Sequence, residues 1–257
     1  MFARTLLTAL ASFTLLLPAA AAQSPSVERA AIVATYPHDP DAFTQGLFIH
    51  GGLLYESTGQ IGRSSLRRVE LDTGDVQQQA DIEPPYFGEG SVRFGDRIFM
   101  LSWVSETGFI FDADTFERIG TFSYPGEGWG LTHDGSRLVL SDGSARLRYL
   151  DPDTLEQTGT LDVTLNGRPV RRLNELEWVD GEIWANVWQS TMIVRIDPGT
   201  GSVTGLIDLE DIVPDNLEGS RDAVANGIAW DAATGRIYVT GKLWPVLHEI
   251  RISTEVR

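Results

Sequence analysis

Glu89 is bracketed by glycines in the stretch Phe87-Gly-Glu-Gly90. A carboxylate between two residues without side chains can be approached closely by a small polar substrate. If apolar groups also surround it, its pKa rises from about 4.3 towards neutrality, where it can both take and return a proton. Read in isolation, the same four residues describe a tight turn with a solvated acid, and the two readings stand side by side. Amides at Gln45, Asn174 and Asn226 and indoles at Trp103, Trp129, Trp188 and Trp244 recur along the chain, with Phe43 and Lys242 in comparable positions. The amides either bind a substrate or cap strands through the backbone. The indoles either wall a pocket or pack in a core. Lys242 either pairs with an acid such as Glu89 or lies at the surface.

Other catalytic templates are missing from the sequence. It has no Gly-x-Ser-x-Gly elbow, no phosphate-binding glycine loop and no cysteine, which removes thiol nucleophiles and disulfides. Ser91 and Ser102 have no sequence-defined histidine partner. His38, His50, His133 and His248 lack metal-ligand spacing, so no metal site and no cofactor are expected. The Asp-x-x-Thr segments beginning at Asp112, Asp151 and Asp197 lack the twelve-residue spacing of a calcium loop, and turns closed by Asp and Thr explain them.

The elements that must position these groups repeat. A glycine-bracketed entry, a strand, a Gly-Asp or Asp-Gly turn, a second strand with a polar or aromatic end, and an Asp- and Thr-containing turn recur five times, opening near Phe43, Glu89, Gly128, Asn174 and Ala225. Short strands separated by Gly and Asp turns predict antiparallel four-stranded units. The fifth unit stops after three strands, while a spare strand, Ala30 to Tyr36, waits ahead of the first. The expectation is therefore an all-β, five-bladed β-propeller whose ring is closed by the N-terminal strand joining the last blade. Leu209 to Arg221, with Pro214, reads as a long loop containing at most a helical turn. Such a ring brings the entry residues Phe43, Gln45, Glu89, Trp129, Asn174 and Asn226 to one mouth. The second-strand ends at Glu56, Trp103, Asp142, Trp188, Lys242 and Trp244 join them there. For Glu175 and Glu177, one is expected to face inward and the other outward.

Composition limits the partners. With 36 acidic against 20 basic residues the formal charge is −16, which disfavours nucleic acid and anionic membranes. Arg4, the apolar run Leu6 to Leu17 and the alanines before Gln23 read as a signal peptide over residues 1–22, leaving residues 23–257 as one catalytic domain, periplasmic or secreted. Cleavage after Ala22 would make Gln23 the first residue. A monomer without a membrane segment is expected.

The chain resembles the plant and bacterial glutamine cyclotransferases, also called glutaminyl-peptide cyclotransferases. The resemblance is carried by Phe43-Thr-Gln-Gly-Leu47, Tyr55-Glu-Ser-Thr-Gly59, Phe87-Gly-Glu-Gly90, Leu101-Ser-Trp103, Gly128-Trp-Gly-Leu-Thr132, Asn174-Glu-Leu-Glu-Trp178, Ala185-Asn-Val-Trp-Gln189, Arg195-Ile-Asp-Pro198, Asn226-Gly-Ile-Ala229 and Thr240-Gly-Lys-Leu-Trp-Pro245. It departs at Ser102, where members often carry threonine. The resemblance implies a five-bladed propeller that converts the N-terminal glutamine of peptides or proteins into pyroglutamate and releases ammonia, without a catalytic zinc. It implies Glu89 as general acid/base and Phe43, Gln45, Trp103, Trp129, Asn174, Trp188 and Lys242 as the substrate site. Two other classes stay open on the residues alone. A calcium-dependent lactone- or sugar-oxidising propeller would need Glu56, Glu89, Asp142 and Glu175 to converge, and a peptide-binding propeller would use the aromatic mouth without Glu89.

Overall fold

The computed structural model describes residues 25–217 and 219–253. The leader expected at residues 1–22 lies outside them. A long first strand, β1 (Val27–Pro37), precedes the repeats. The first repeat comprises β2 (Thr44–His50), β3 (Leu53–Thr58), β4 (Ser65–Val69) and β5 (Val76–Asp81). The second comprises β6 (Gly88–Phe94), β7 (Arg97–Ser102), β8 (Thr107–Asp112) and β9 (Arg118–Ser123), and the third β10 (Leu131–His133), β11 (Leu138–Leu140), β12 (Arg146–Leu150) and β13 (Gln157–Asp162). A two-stranded ribbon, β14 (Thr164–Leu165) and β15 (Arg168–Pro169), leads into β16 (Leu173–Val179), β17 (Glu182–Val187), β18 (Met192–Ile196) and β19 (Val203–Asp208). Two 3-10 turns, Glu210–Ile212 and Asp215–Leu217, occupy the long loop before β20 (Ala225–Asp231), β21 (Arg236–Gly241) and β22 (Val246–Ser253).

The five-bladed propeller expected from the repeats is corrected by the sheet order, because the repeats do not make five separate sheets. The first three each form a four-stranded antiparallel sheet, but the last two belong to one eight-stranded sheet, ordered β16-β17-β18-β19-β1-β22-β21-β20. The physical reason lies in β1. Its body pairs antiparallel with β22, from Ala30 opposite Ile252 to Pro37 opposite Val246, while Val27, Glu28 and Arg29 pair parallel with Leu206, Ile207 and Asp208 of β19. One strand therefore satisfies two sheet edges that would otherwise present unpaired backbone groups. The outer strands of this sheet, β16 and β20, return to pack against each other. Around the molecule β2 lies against β6 and β20, β6 against β10, and β10 against β16, so the first strands of all five repeats meet at a common centre.

Packing between neighbouring sheets follows from strand alternation. In β7, Ile98 and Met100 point to a cluster with Phe48, Tyr55 and Leu66 of the first sheet, while Phe99 and Leu101 point to Leu131, Leu138 and Leu140 of the third. A strand buried on both faces reads as a continuous apolar run, as Ile98 to Leu101 does. The Asp-x-x-Thr turns close on themselves. Asp112 Oδ1 accepts the backbone N–H of Asp114 and Thr115, and Asp151 and Asp197 repeat the arrangement.

Candidate active site

Four of the five first strands slip register where they reach the centre. The irregularities fall between Thr44 and Gly46, Gly88 and Ser91, Leu173 and Leu176, and Ala225 and Ile228. An extra residue at a bulge bends the strand and re-aims its side chain, and the displaced residues include Gln45, Glu89, Asn174 and Asn226. Glycines beside these residues let neighbouring chains close in. A Cβ at Gly90 would lie 2.6 Å from the Trp129 carbonyl oxygen, and one at Gly130 only 2.0 Å from that of Asn174. Gly90 N–H instead donates to the Trp129 carbonyl at 2.7 Å, and Ser141 Oγ bridges Gly130 N–H and the Asn174 carbonyl at 2.8 and 2.6 Å.

These bulges open on a cavity of about 220 Å³ lined by Phe43, Gln45, Phe87, Glu89, Trp103, Trp129, Asn174, Trp188, Arg221, Asp222 and Lys242. All eight residues expected at the site line it. Phe87, Arg221 and Asp222 also line it but were not expected. Glu56, Asp142, Asn226 and Trp244, expected at the same mouth, do not: Trp244 is fully buried with its Nε1–H on the Ala223 carbonyl, and Asn226 Nδ2 donates to the Thr44 carbonyl. Phe87 could have been read from its place beside Gly88-Glu89. Arg221 and Asp222 lie in an irregular loop that carries no repeat signal.

Glu89 is buried, and Gln45 Nε2 donates to its Oε1 at 3.2 Å. Burial holds its pKa well above the ordinary carboxylate value; the Lys242 ammonium works against that and the Glu127 carboxylate adds to it. Lys242, which had been open to a surface reading, is buried as well. Its Nζ lies 4.8 Å from the centre of the Phe43 ring, and desolvation brings its pKa down to about 8 against the pull of Glu89 and Asp222. Among the described residues, two buried acceptors in this wall have no partner, Gln45 Oε1 and Asn174 Oδ1. The inner wall of the site thus offers the proton-exchanging acid Glu89, the buried cation Lys242 and two vacant hydrogen-bond acceptors, while Arg221 and Asp222 add a further charge of each sign to the lining.

The rings form two groups. Phe43 meets Phe87 edge-on at 6.0 Å and Phe87 meets Trp103 at 5.9 Å, while Trp129 meets Trp188 at 5.5 Å. Glu127, absent from the sequence expectations, lies between the groups: its Oε2 accepts the indole N–H of both Trp103, at 2.7 Å, and Trp129, at 2.8 Å. Only its position two residues before Trp129 hinted at it.

The acids needed for a calcium-type propeller site are engaged separately. Glu56 Oε1 accepts Thr44 Oγ1–H at 2.6 Å and meets His38 Nε2 at 3.0 Å, Asp142 faces Arg148 at 3.5 Å, and Glu175 accepts the backbone N–H of Leu47 and Ile228. Glu175 and Glu177 are both buried, correcting the expectation of opposite faces, because residues two apart on a strand share a face. Among the described residues no cluster of three or more His, Asp or Glu side chains could hold a metal ion, and no helix is long and apolar enough to cross a membrane.

A model of the glutamine cyclotransferase family matches residues 5–252. A glutaminyl-peptide cyclotransferase of Arabidopsis thaliana is 46% identical over 225 residues, covering 86% of this chain and 70% of that protein. The crystal structure of Myxococcus xanthus glutaminyl cyclase superposes with a TM-score of 0.83 at 39% identity, covering 89% of this chain and 98% of that one.

Proposed function

The chain belongs to the glutamine cyclotransferase family, and from that membership and the site geometry we infer that it acts as a glutaminyl cyclase. It converts the N-terminal glutamine of peptides or proteins into pyroglutamate and releases ammonia. The α-amine nitrogen attacks the side-chain carboxamide carbon, a C–N bond closes the five-membered lactam, and the bond to the amide nitrogen breaks. The proton lost by the amine must reach the departing nitrogen. Glu89, buried and with a raised proton affinity, is the group proposed to carry it from one nitrogen to the other.

The observation that carries this reading is the company Glu89 keeps in one cavity. Gln45 Oε1 and Asn174 Oδ1 are acceptors without donors, and the substrate brings N–H groups on its amine and its carboxamide. Lys242 is the cation suited to the carboxamide oxygen as it gains negative charge. The rings press on the methylenes between amine and carboxamide and favour the folded rotamer, in which the reacting atoms are already close. We further propose that it acts outside the cytoplasm, a reading that rests on the apolar N-terminal stretch. Incubation of the protein with a Gln-initiated peptide should release one ammonia per peptide, followed by mass spectrometry; an unchanged peptide mass would refute the assignment.

A further inference from the structure

We propose that Glu127 is the positioning residue of this site, a single carboxylate oxygen that ties the indoles of Trp103 and Trp129 together and so fixes the two walls between which the substrate glutamine is held. The inference rests on the cyclase reading for what lies between the walls, but the clamp itself rests on geometry.

The two indoles come from different repeats. Trp103 follows the end of β7 and Trp129 precedes β10; a backbone bond from Gly128 N–H to the Trp103 carbonyl brings their chains together, but it leaves the directions of the two indoles to their side-chain contacts. Trp103 is 42% exposed, which leaves its ring short of the packing that would fix a rotamer. Its Nε1–H instead reaches Glu127 Oε2 at 2.7 Å, and Trp129 Nε1–H reaches the same atom at 2.8 Å. Hydrogen bonds to an ionised acceptor are short and strong, and two on one oxygen define an angle as well as two distances. Through Phe87 and Phe43 on one side and Trp188 on the other, the tie extends to the remaining rings of the cavity.

The clamp is held from behind. Arg148 Nη1 donates to the Pro125 carbonyl and Nη2 to the Glu127 carbonyl, both at 2.6 Å. Gly126 N–H donates to Glu106 Oε1 at 2.6 Å, and Gly128 N–H to the Trp103 carbonyl at 2.9 Å. A Cβ at Gly128 would strike Tyr124 Oη at 2.5 Å, so the chain passes here without room to shift. Backbone anchors on both sides of Glu127 give its carboxylate a fixed origin. Its negative charge also opposes ionisation of Glu89, so the residue that sets the walls raises the proton affinity of the acid between them.

Two substitutions separate geometry from charge. Glu127→Gln keeps an oxygen with two lone pairs for the indoles but removes the charge, and Glu127→Ala removes both. With a Gln-initiated peptide, the alanine variant should raise KM about tenfold or more, the scale of a lost hydrogen bond to a charged group. The glutamine variant should keep KM within about threefold of the parent, because its contacts survive. In the glutamine variant the acid limb of kcat/KM should move to lower pH, since Glu89 no longer faces the carboxylate. Near-UV circular dichroism gives a readout independent of turnover: the indole bands should weaken in the alanine variant and persist in the glutamine variant. Parental KM, pH profile and indole bands in both variants would overturn the proposal. Equal impairment of the two variants, accompanied by a lowered melting temperature, would overturn it too, by making Glu127 a loop-stability residue. Failure of the parent protein to release ammonia would refute the cyclase reading and leave the dichroism test of the clamp standing.

Discussion

Gln45 donates its amide N–H to Glu89 at 3.2 Å while its own amide oxygen, buried beside it, has no donor among the described residues. One side chain thus orients the acid and leaves an acceptor facing the cavity. A site of this kind is organised for a ligand rich in N–H groups, and its proton inventory predicts how it responds to pH and substitution.

Lys242 should set the alkaline limit of the reaction. Its pKa is lowered to about 8 by burial, so the ammonium is present below that pH and lost above it. The profile of kcat/KM should therefore fall on the alkaline side with a midpoint near this value. Lys242→Met should lower kcat about 10²- to 10³-fold, the usual effect of removing one group that stabilises a developing oxyanion. A methionine variant that turns over at the parental rate would remove Lys242 from this role.

The buried pair of His38 and Glu56 should give a stability maximum in mildly acidic solution. His38 Nε2 lies 3.0 Å from Glu56 Oε1 and its Nδ1 donates to the Trp244 carbonyl at 2.6 Å. Burial acts against both charged forms. Glu56, through its charge and hydrogen bond, nevertheless raises the His38 pKa above 6.5, and His38 with Thr44 lowers that of Glu56 below 4.5. The histidine contribution is complete below 6.5 and is lost as pH rises through its folded pKa. That of the acid is complete above 4.5 and is lost as pH falls through its own. Glu56→Gln should cost about 3–5 kcal/mol by stranding one member of a buried pair. Urea unfolding at pH 5.5 would measure it, and a change within error would contradict the pairing.

The opposite sign applies to Glu177. Burial raises its pKa to about 8, against a backbone hydrogen bond from Trp230 N–H at 2.9 Å. A folded pKa above the ordinary 4.5 means stability present at low pH and lost as pH rises from 4.5 through about 8. Glu177→Gln, which keeps an acceptor without the charge, should flatten that decline. Melting temperatures of parent and variant should diverge as pH rises from 5 to 8; parallel curves would show that this carboxyl is not buried as described.

Gly130 should tolerate no side chain. The position of its absent Cβ is 2.0 Å from the Asn174 carbonyl oxygen and 2.9 Å from the Glu175 Cα, both fixed backbone. Gly130→Ala should push β10 from β16, costing about 1–3 kcal/mol as an overpacked core does. It should also reduce kcat/KM by separating Trp129 from Asn174. A thermal melt and a turnover assay check both effects, and parental values in each would refute the close approach.

Much of the site was legible because its residues occupy equivalent places in a repeat. Gln45, Glu89 and Trp129 each stand immediately before a glycine, and Asn174 stands before Glu175 in the same place, so one rule located all four. The same rule overreached at Asn226, which also precedes a glycine, and the expectation for second-strand ends overreached at Trp244, since a repeat fixes a height along the sheet and not the direction of a side chain. Glu127 escaped because it lies in a loop between repeats, where its partners are set by Arg148 and by indoles from two different sheets. The spare N-terminal strand was visible, but its parallel pairing with β19 was not. Val27, Glu28 and Arg29 show no apolar alternation, and only the three-dimensional placement of Leu206, Ile207 and Asp208 reveals the second edge that they cover.

The central claim is that the Glu89 carboxyl carries the proton from amine to leaving nitrogen. Glu89→Gln preserves the size of the side chain and leaves an amide oxygen for Gln45 Nε2. The decisive measurement is the rate of ammonia release from a Gln-initiated peptide by this variant, taken with its melting temperature. The account predicts a kcat lower by about 10²- to 10⁴-fold with the melting temperature unchanged or raised, because a buried acid has been replaced by a neutral group. A folded variant that releases ammonia at the parental rate would contradict it.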